Sequence, residues 1–342
     1  MNIIEGNRLD GLPIDEFIDI KSKEICTVAR GKKLIYFDLL HLINMRKAVN
    51  KENSIQDSTS DVYREIYSVL VDLISQDIII CPMSYMIFIE LDKQSDNKSL
   101  LNTCKVIDEI SLGISYADQK IFLAEVINLN QYQLNLDLGT DFYLCPHICV
   151  DIKFFKEYYC DKFLNKNLDN KALNVIFDRL LRSNTYDMFY LRRACGLRSK
   201  LNAPLFSEWI NKNKITNGSK FNDILKDNIN GLINEFNDMC ENKFISLIDL
   251  DITDYKEYTP SLFTLAQIIS IKQSRAQERA RDNDFFDMYH SSIALAYSNY
   301  FFTEKSFHHL LTNKPFDRSY LDCIIESDPK FILTRLKDLK NT

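Results

Sequence analysis

Acidic residues crowd one short stretch of this chain. In ARDNDFFDMYHSSIALAYSNYFFTE, Asp282, Asp284 and Asp287 open an apolar helical pattern, and Glu304 follows the strand-like run at its end. The dipole of a helix favours negative side chains at its N-terminus, so a solvated acidic turn is one explanation. Carboxylate oxygens without accompanying His or Cys are also the ligands that select Mg²⁺ or Mn²⁺. The choice depends on whether other acids of the chain lie at comparable places.

Two further acids follow apolar runs near the start of the chain. Asp38 ends the run LIYF, and Glu90 lies in the helical pattern SYMIFIELDKQ after the run DIIICP. Each acid has a structural alternative. Asp38 would be a helix N-cap, Glu90 would face solvent on an amphipathic helix, and Glu304 would be a cap or loop acid. Their joint placement favours one shared site.

The order of the predicted strands and helices would place these acids near one another. Both apolar runs are short, continuous and bounded by polar residues, which is typical of strands buried on both faces. A helical pattern lies between the runs and Ser84 can cap the helix after the second, so the segment predicts a βαβ unit. In an open α/β sheet, ligands bind outside the carboxyl ends of the strands. Gathering several carboxylates there is costly unless a cation compensates their charge.

The middle of the chain has a different pattern of hydrophobic residues. From about residue 97 to residue 258, amphipathic helical patterns dominate and strand signals are weak. Pro260 then opens a strong helical pattern, YFFTE and YLDCIIES predict strands, and DPKFILTRLKDL predicts a closing helix. The sequence therefore predicts an α/β layer whose two halves come from opposite ends of the chain and are separated by a long helical insertion.

These motifs resemble those of the PIN-domain nucleases, metal-dependent enzymes that cut RNA and less often DNA. The family pattern is an Asp ending the first strand, a Glu on the helix after the second, an Asp opening a small-residue helix, and a Thr–acid pair after the next strand. IYFD, CPMSYMIFIE, DNDFFDMYHSSIALAY and YFFTE match it in order, and DxxDxxH…AxxYxxYFxTE is similar to a larger PIN-like subgroup in bacteria. Glu304 departs from the pattern by replacing a more usual Asp. His290, one turn past Asp287, would contact substrate or pack on the sheet.

The resemblance implies a three-layer α/β/α domain with a central, mainly parallel sheet, built from residues 30–98 and 260–342. Residues 99–259 would then be the helical insertion, and residues 1–29 an N-terminal extension. It also implies hydrolysis of RNA phosphodiester bonds with Mg²⁺ or Mn²⁺ as cofactor. The spacing to the Thr–acid pair favours Asp287 over Asp284 as the principal third ligand. The implied catalytic residues and metal ligands are Asp38, Glu90, Asp287 and Glu304, with Asp284 as a further ligand. Thr303 would form hydrogen bonds outside the direct ligands.

Two basic stretches are candidates for holding a nucleic-acid backbone. Lys272, Arg275 and Arg279 recur at helical spacing on the helix that leads to the acidic stretch. Arg192 and Arg193 lie in the second stretch, YLRRACGLRSK. A solvated charged face is the alternative for both stretches.

Composition restricts the class of protein. With 46% hydrophobic and 26% charged residues but only 8 Gly and 7 Pro, the chain is expected to be globular and helical or α/β. It shows neither a signal peptide nor an apolar run approaching ~18 residues, so we expect no membrane partner and nine cysteines that are free thiols in a reducing cytoplasm. The net charge of −6 gives no support for bulk electrostatic attraction to nucleic acid.

The sequence therefore predicts a cytoplasmic, PIN-like endoribonuclease, with a role in defence or as a toxin as one option. A non-catalytic interaction module on the same fold and a DNA-directed nuclease of the same chemistry are the alternatives. The insertion is expected to select substrate, to form a homo-oligomer or to bind a regulatory protein. The chain has no G-x-G-x-x-G, G-x-x-x-x-G-K-[ST] or G-x-S-x-G motif, which argues against the enzyme classes that these motifs mark.

Overall fold

The described part of the chain has a mixed α/β structure that divides into two compact units. The first unit comprises Met1–Ala117, Asp141–Ser199 and Ser327–Thr342, and the second comprises Asp118–Thr140 and Lys200–Glu326. The structure is a computed structural model. It describes residues 12–51, 58–133, 144–146, 185–187, 189, 203–214, 220–239, 251–275 and 278–340.

The first unit combines a parallel pair of strands with an antiparallel pair. β1 and β2 run parallel, with Lys33 opposite Ile79 and Leu34 opposite Ile80. β3 and β4 run antiparallel, with Ser115 opposite Cys145. The elements of this unit are α1 (Ile14–Ala29), β1 (Lys33–Phe37), α2 (Leu39–Val49), α3 (Ser58–Ser75), β2 (Ile79–Ile80), α4 (Tyr85–Asp92), α5 (Asn97–Ser111), β3 (Ile114–Tyr116), β4 (Leu144–Pro146) and α13 (Pro329–Leu339).

The βαβ segment of the first unit confirms the sequence-based prediction. The side chains from Leu34 to Phe37 are all buried, which is why this run is continuously apolar. Ser84 caps α4, because its Oγ accepts a hydrogen bond of 3.4 Å from the Ile87 amide. The apolar face of α3 buries Tyr63 together with three aliphatic residues, and α3 packs against both α2 and α13.

The second unit is built around one helix, α10 (Pro260–Ser274), that is buried over almost its whole length. Every residue from Ser261 to Gln273 is buried, and the helix packs against α8 (Phe221–Met239) and α11 (Asp282–Tyr297). β5 and β6 run parallel, with Phe301 opposite Ile325. The elements of this unit are α6 (Asp118–Gln133), α7 (Ala203–Lys212), α8 (Phe221–Met239), α9 (Ile252–Tyr258), α10 (Pro260–Ser274), α11 (Asp282–Tyr297), β5 (Tyr300–Phe302), α12 (Lys305–Thr312) and β6 (Ile324–Glu326).

A buried carboxylate joins three helices of the second unit. Glu125 on α6 is 2% exposed. Its Oε1 accepts hydrogen bonds from the Ser261 amide at 2.8 Å and the Tyr297 hydroxyl at 2.7 Å, and its Oε2 accepts one from the Leu262 amide at 3.0 Å. The two oxygens therefore satisfy the first amides of α10, and the ionised form of Glu125 also complements the helix dipole. Burial raises the pKa of Glu125 to about 7, although these hydrogen bonds lower it.

This raised pKa predicts a stability that depends on pH. The folded protein holds the Glu125 proton up to a pH of about 7, whereas the unfolded chain releases it near 4.5. The native state therefore binds more protons between these values, and its unfolding free energy falls as pH rises through that window, by on the order of 3 kcal/mol. Urea unfolding at pH 5 and pH 7.5 measures this loss, and Glu125→Gln should show less of it. Identical pH dependence in the two proteins would contradict the prediction.

The structure and the predicted organisation differ in one respect and leave others open. β3 and β4 lie within the segment that was expected to be helical. The sequence did not predict them because a strand of three residues is too short to show an alternating pattern. The patterns IKFFKEYYCDKFL and KALNVIFDRLLRS lie outside the described residues. The three-layer arrangement and the boundaries at residues 30, 99 and 260 stay predictions.

The described cysteines agree with the composition. Cys26, Cys81, Cys104, Cys145 and Cys323 are buried thiols that form no disulfide, as expected of structural cysteines. Burial raises the pKa of the Cys81 thiol, which makes it a poor nucleophile. Within the described ranges, none of the helices combines the length and the apolar character that crossing a membrane requires.

Candidate metal centre

Asp38 lies where β1 ends and α2 begins. It is 6% exposed and occupies the N-cap position of α2, where its Oδ1 accepts a hydrogen bond of 3.3 Å from the Leu40 amide. The structural alternative, a helix N-cap, is therefore confirmed. A carboxylate offers about four acceptor positions, so one capping bond is compatible with a second role as a ligand.

Glu90 lies on α4, the helix that follows β2. Ile87, Phe88 and Ile89 of this helix are buried, whereas Glu90 is half-buried. Because β1 and β2 are parallel neighbours, Asp38 and Glu90 both follow carboxyl ends on the same side of this strand pair. This is the arrangement that the βαβ pattern predicts.

Asp287 and His290 form an acid–imidazole pair on α11. His290 Nε2 lies 3.5 Å from Asp287 Oδ1, and the two side chains are 1% and 23% exposed. The His290 ring packs edge-on against Phe301 of β5, with ring centroids 6.2 Å apart. Packing on the strand is therefore confirmed for His290. Sequence reasoning did not treat His290 as a ligand, although the i,i+3 spacing to Asp287 was a signal for it.

The other two aspartates of the stretch have structural partners. Asp284 Oδ2 accepts hydrogen bonds of 3.1 Å from both the Arg281 amide and Lys272 Nζ, so it caps α11 and forms an ion pair. Asp282 Oδ1 accepts a hydrogen bond from the Ser207 hydroxyl. Helix capping and pairing thus account for Asp284 without a metal ion, and Asp287 is the stronger ligand candidate.

Thr303 and Glu304 directly follow β5, as the motif predicts. Thr303 is 1% exposed, and its amide donates a hydrogen bond of 3.0 Å to the Glu326 carbonyl at the end of β6. Glu304 is half-buried at the N-cap position of α12, and its Oε1 accepts a hydrogen bond from the Ser306 hydroxyl. Glu304 is therefore the N-cap residue of α12. The same position, just after β5, is where the motif predicts a metal ligand.

The predicted basic stretch does not lie on one helix, because α10 ends at Ser274, and Arg275 and Arg279 follow it. Acids pair with two of its three cations. Lys272 is 7% exposed, and its ammonium lies 3.2 Å from Glu278 and 3.1 Å from Asp284. Arg275 pairs with Glu278 at 3.0 Å, whereas Arg279 is exposed. These pairs explain Lys272 and Arg275 by structure alone. The residues of the other predicted stretch, Arg192 and Arg193, lie outside the described residues.

The two units each carry part of the predicted set. The first unit holds Asp38 and Glu90, and the second holds Asp284, Asp287, His290, Thr303 and Glu304. Comparison of the chain with protein-family models, curated proteins and solved structures gave no match. The resemblance to PIN-domain nucleases therefore rests on the sequence motifs, and function has to be argued from the residues themselves.

Proposed function

We propose that this protein is a divalent-metal-dependent endonuclease that hydrolyses RNA phosphodiester bonds. The proposal is based on Asp38, Asp287 and His290, because each offers one oxygen or nitrogen atom of the kind that binds a divalent cation. For one cation to bind all three, Asp38 of the first unit must lie near the Asp287–His290 pair. Glu90 and Glu304, which follow strands β2 and β5, complete the proposed acidic set.

The side chains divide the work of hydrolysis among them. Asp38 and Asp287 bind the cation directly, and Glu90 orients the attacking water and takes up its proton. Glu304 and Asp284 supply negative charge directly or through water, and buried Thr303 fixes the end of β5 behind the site. A bound cation supplies the Lewis-acid chemistry: it lowers the pKa of water and stabilises charge on the phosphate.

His290 gives the proposed site a preference among cations. Carboxylates alone suit Mg²⁺, whereas a neutral imidazole next to carboxylates suits Mn²⁺ better, because Mn²⁺ accepts nitrogen ligands more readily. Asp287 is near enough to His290 for both side chains to bind one ion. We therefore expect tighter binding of Mn²⁺ than of Mg²⁺.

Thermal melts with added cations test the ligand set. A cation that binds only the folded protein stabilises it by mass action, by about 2.7 kcal/mol when its concentration is a hundred times its Kd. We expect millimolar Mn²⁺ to raise Tm by several degrees and Mg²⁺ to raise it less. Asp38→Asn and Asp287→Asn should each remove most of the rise, and His290→Gln should reduce the difference between the two cations.

A matched variant controls for the loss of negative charge. Asp322 is exposed in the second unit before β6, so Asp322→Asn should keep the full Mn²⁺ response. An unchanged Tm of the parent protein in Mn²⁺ would favour the non-catalytic module. Incubation with labelled RNA, single-stranded DNA and duplex DNA then identifies the substrate, and cleavage of DNA alone would replace RNA by DNA in the proposal.

A further inference from the structure

The only tryptophan of the chain is exposed and held on an aromatic base. Trp209 lies on α7 and is 44% exposed. Its ring stacks on Phe206 of the same helix, with centroids 5.9 Å apart and planes 25° apart. Phe206 in turn meets Phe285 of α11 edge-on at 4.8 Å. The indole is therefore fixed in orientation while much of it remains in contact with solvent.

An indole that is fixed in orientation and 44% exposed keeps apolar surface available to a partner. Burial of a whole aromatic side chain of this size is worth several kcal/mol, and a partner that covers Trp209 would supply the part that is now exposed to solvent. Because Phe206 already restricts the ring, a planar partner that stacks on Trp209 would lose little extra side-chain entropy. Nucleobases are such partners, and stacking on an aromatic ring accepts any base.

The helix that carries Trp209 is hydrogen-bonded to the segment before α11 (residues 278–281). Asn211 binds both backbone groups of Ala280, with hydrogen bonds of 3.0 Å to its oxygen and 2.9 Å from its nitrogen. The Lys214 ammonium donates hydrogen bonds to the carbonyl oxygens of Lys272, Arg275 and Glu278. These hydrogen bonds place Trp209 and the start of α11, the helix that bears Asp287, in one region of the second unit.

Exposed cations lie in this region together with acids. Arg279 and Arg281 are exposed in the segment before α11, and Lys212 is exposed on α7. Asp282, next to Arg281, is also exposed and accepts a hydrogen bond from Ser207. Lys212 lies 3.7 Å from Glu208, a weak surface pair. The nearby acids Glu278 and Asp284 are engaged by Lys272. One exposed aromatic ring with exposed guanidinium groups in the same region suits a chain that carries both bases and phosphates.

We propose that Trp209 stacks on a base of single-stranded RNA, with Arg279 and Arg281 holding the adjacent phosphates. This inference deepens the proposed function and rests on it for the identity of the substrate. An unpaired strand is required, because the faces of bases in a duplex are covered by their neighbours. The bound strand would reach the region of Asp287 from the α7 side.

Fluorescence of the single tryptophan reports this contact directly. We would titrate the protein in EDTA with an oligouridine RNA, which has little stacking of its own, and expect quenching of emission that weakens as salt rises. Trp209→Ala should weaken binding about five- to hundredfold, measured by anisotropy of a labelled RNA, whereas Trp209→Phe should retain most of it. Phe331→Ala, at an aromatic residue that is 61% exposed in the first unit, is the control.

The outcomes separate this inference from the nuclease proposal, because EDTA removes the need for a metal ion. Quenching by RNA in a protein that never cleaves would reject the nuclease and leave the RNA surface standing. Cleavage with unchanged emission, and with equal affinity in Trp209→Ala, would overturn the inference alone. Equally strong quenching by duplex RNA would also overturn it, since a duplex offers no free base face.

Discussion

Asp287→Asn is expected to lower RNA cleavage by about a thousandfold while leaving the fold intact. The substitution keeps the size of the side chain but removes its charge, and a metal-bound carboxylate contributes several kcal/mol to the reaction, of which about 4 kcal/mol corresponds to this factor. Asp287 is 23% exposed, and the side-chain oxygen of Asn can stay near His290 Nε2, so the substitution leaves the packing at this position unchanged. Cleavage of a labelled RNA in Mn²⁺ measures the effect, and the melting curve without metal checks the fold.

Asp282 supplies a matched control on the same helix. It lies in the first turn of α11, is exposed, and its hydrogen bond from Ser207 can be kept by an Asn side chain. Asp282→Asn should therefore cleave within a few-fold of the parent protein. If Asp287→Asn and Asp38→Asn both cleave at the parent rate, the proposed ligands are wrong.

Local signals were sufficient to predict most of the elements around the candidate site. The continuous run from Leu34 to Phe37 predicted a strand because a parallel strand that is buried on both faces is mostly apolar. Ser84 and Pro260 predicted helix starts, because an N-cap hydroxyl and a proline in the first turn each suit an amide group that has no helical partner. Both signals act within a few residues, so they do not depend on the tertiary fold.

Long-range partners could not be predicted in the same way. The helical spacing of Lys272, Arg275 and Arg279 suggested a phosphate-binding face, but spacing does not show which acids a cation will meet. In the structure, Lys272 turns to Glu278 and Asp284. Glu125 gave no signal in the sequence, because its hydrogen-bonding partners lie more than a hundred residues away. Such contacts depend on the packing of α6 against α10 and α11.

The positions of the acidic candidates were predictable from the sequence, whereas their roles were less predictable and His290 was not predicted as a ligand. Asp38, Glu90, Asp287 and Glu304 were predicted from their positions relative to strands and helices, and the structure confirms those positions. The roles of Asp38 and Asp284 as helix caps come from hydrogen bonds to nearby amides, and capping and metal binding use the same residue types at the same helix ends. Sequence alone cannot separate these two uses, whereas the cation melts can.

Glu125→Ala is expected to be the most destabilising single substitution considered for this protein, costing about 3–5 kcal/mol of unfolding free energy at pH 7. It would leave the amides of Ser261 and Leu262 and the hydroxyl of Tyr297 without their acceptor, and it would open a cavity among three helices. Each buried donor without a partner costs about 1–3 kcal/mol. Urea unfolding followed by circular dichroism measures the change.

Two further variants identify the cause of that loss. Glu125→Gln keeps an oxygen for Ser261 and Tyr297 but turns an NH₂ group towards the Leu262 amide, so it should cost less than Ala, about 1–3 kcal/mol. Glu257→Ala removes an exposed acid from α9 in the same unit and should change stability by less than about 0.5 kcal/mol. If Ala and Gln at position 125 cost the same, the lost carboxylate charge at the start of α10, and not the missing acceptors, is the cause.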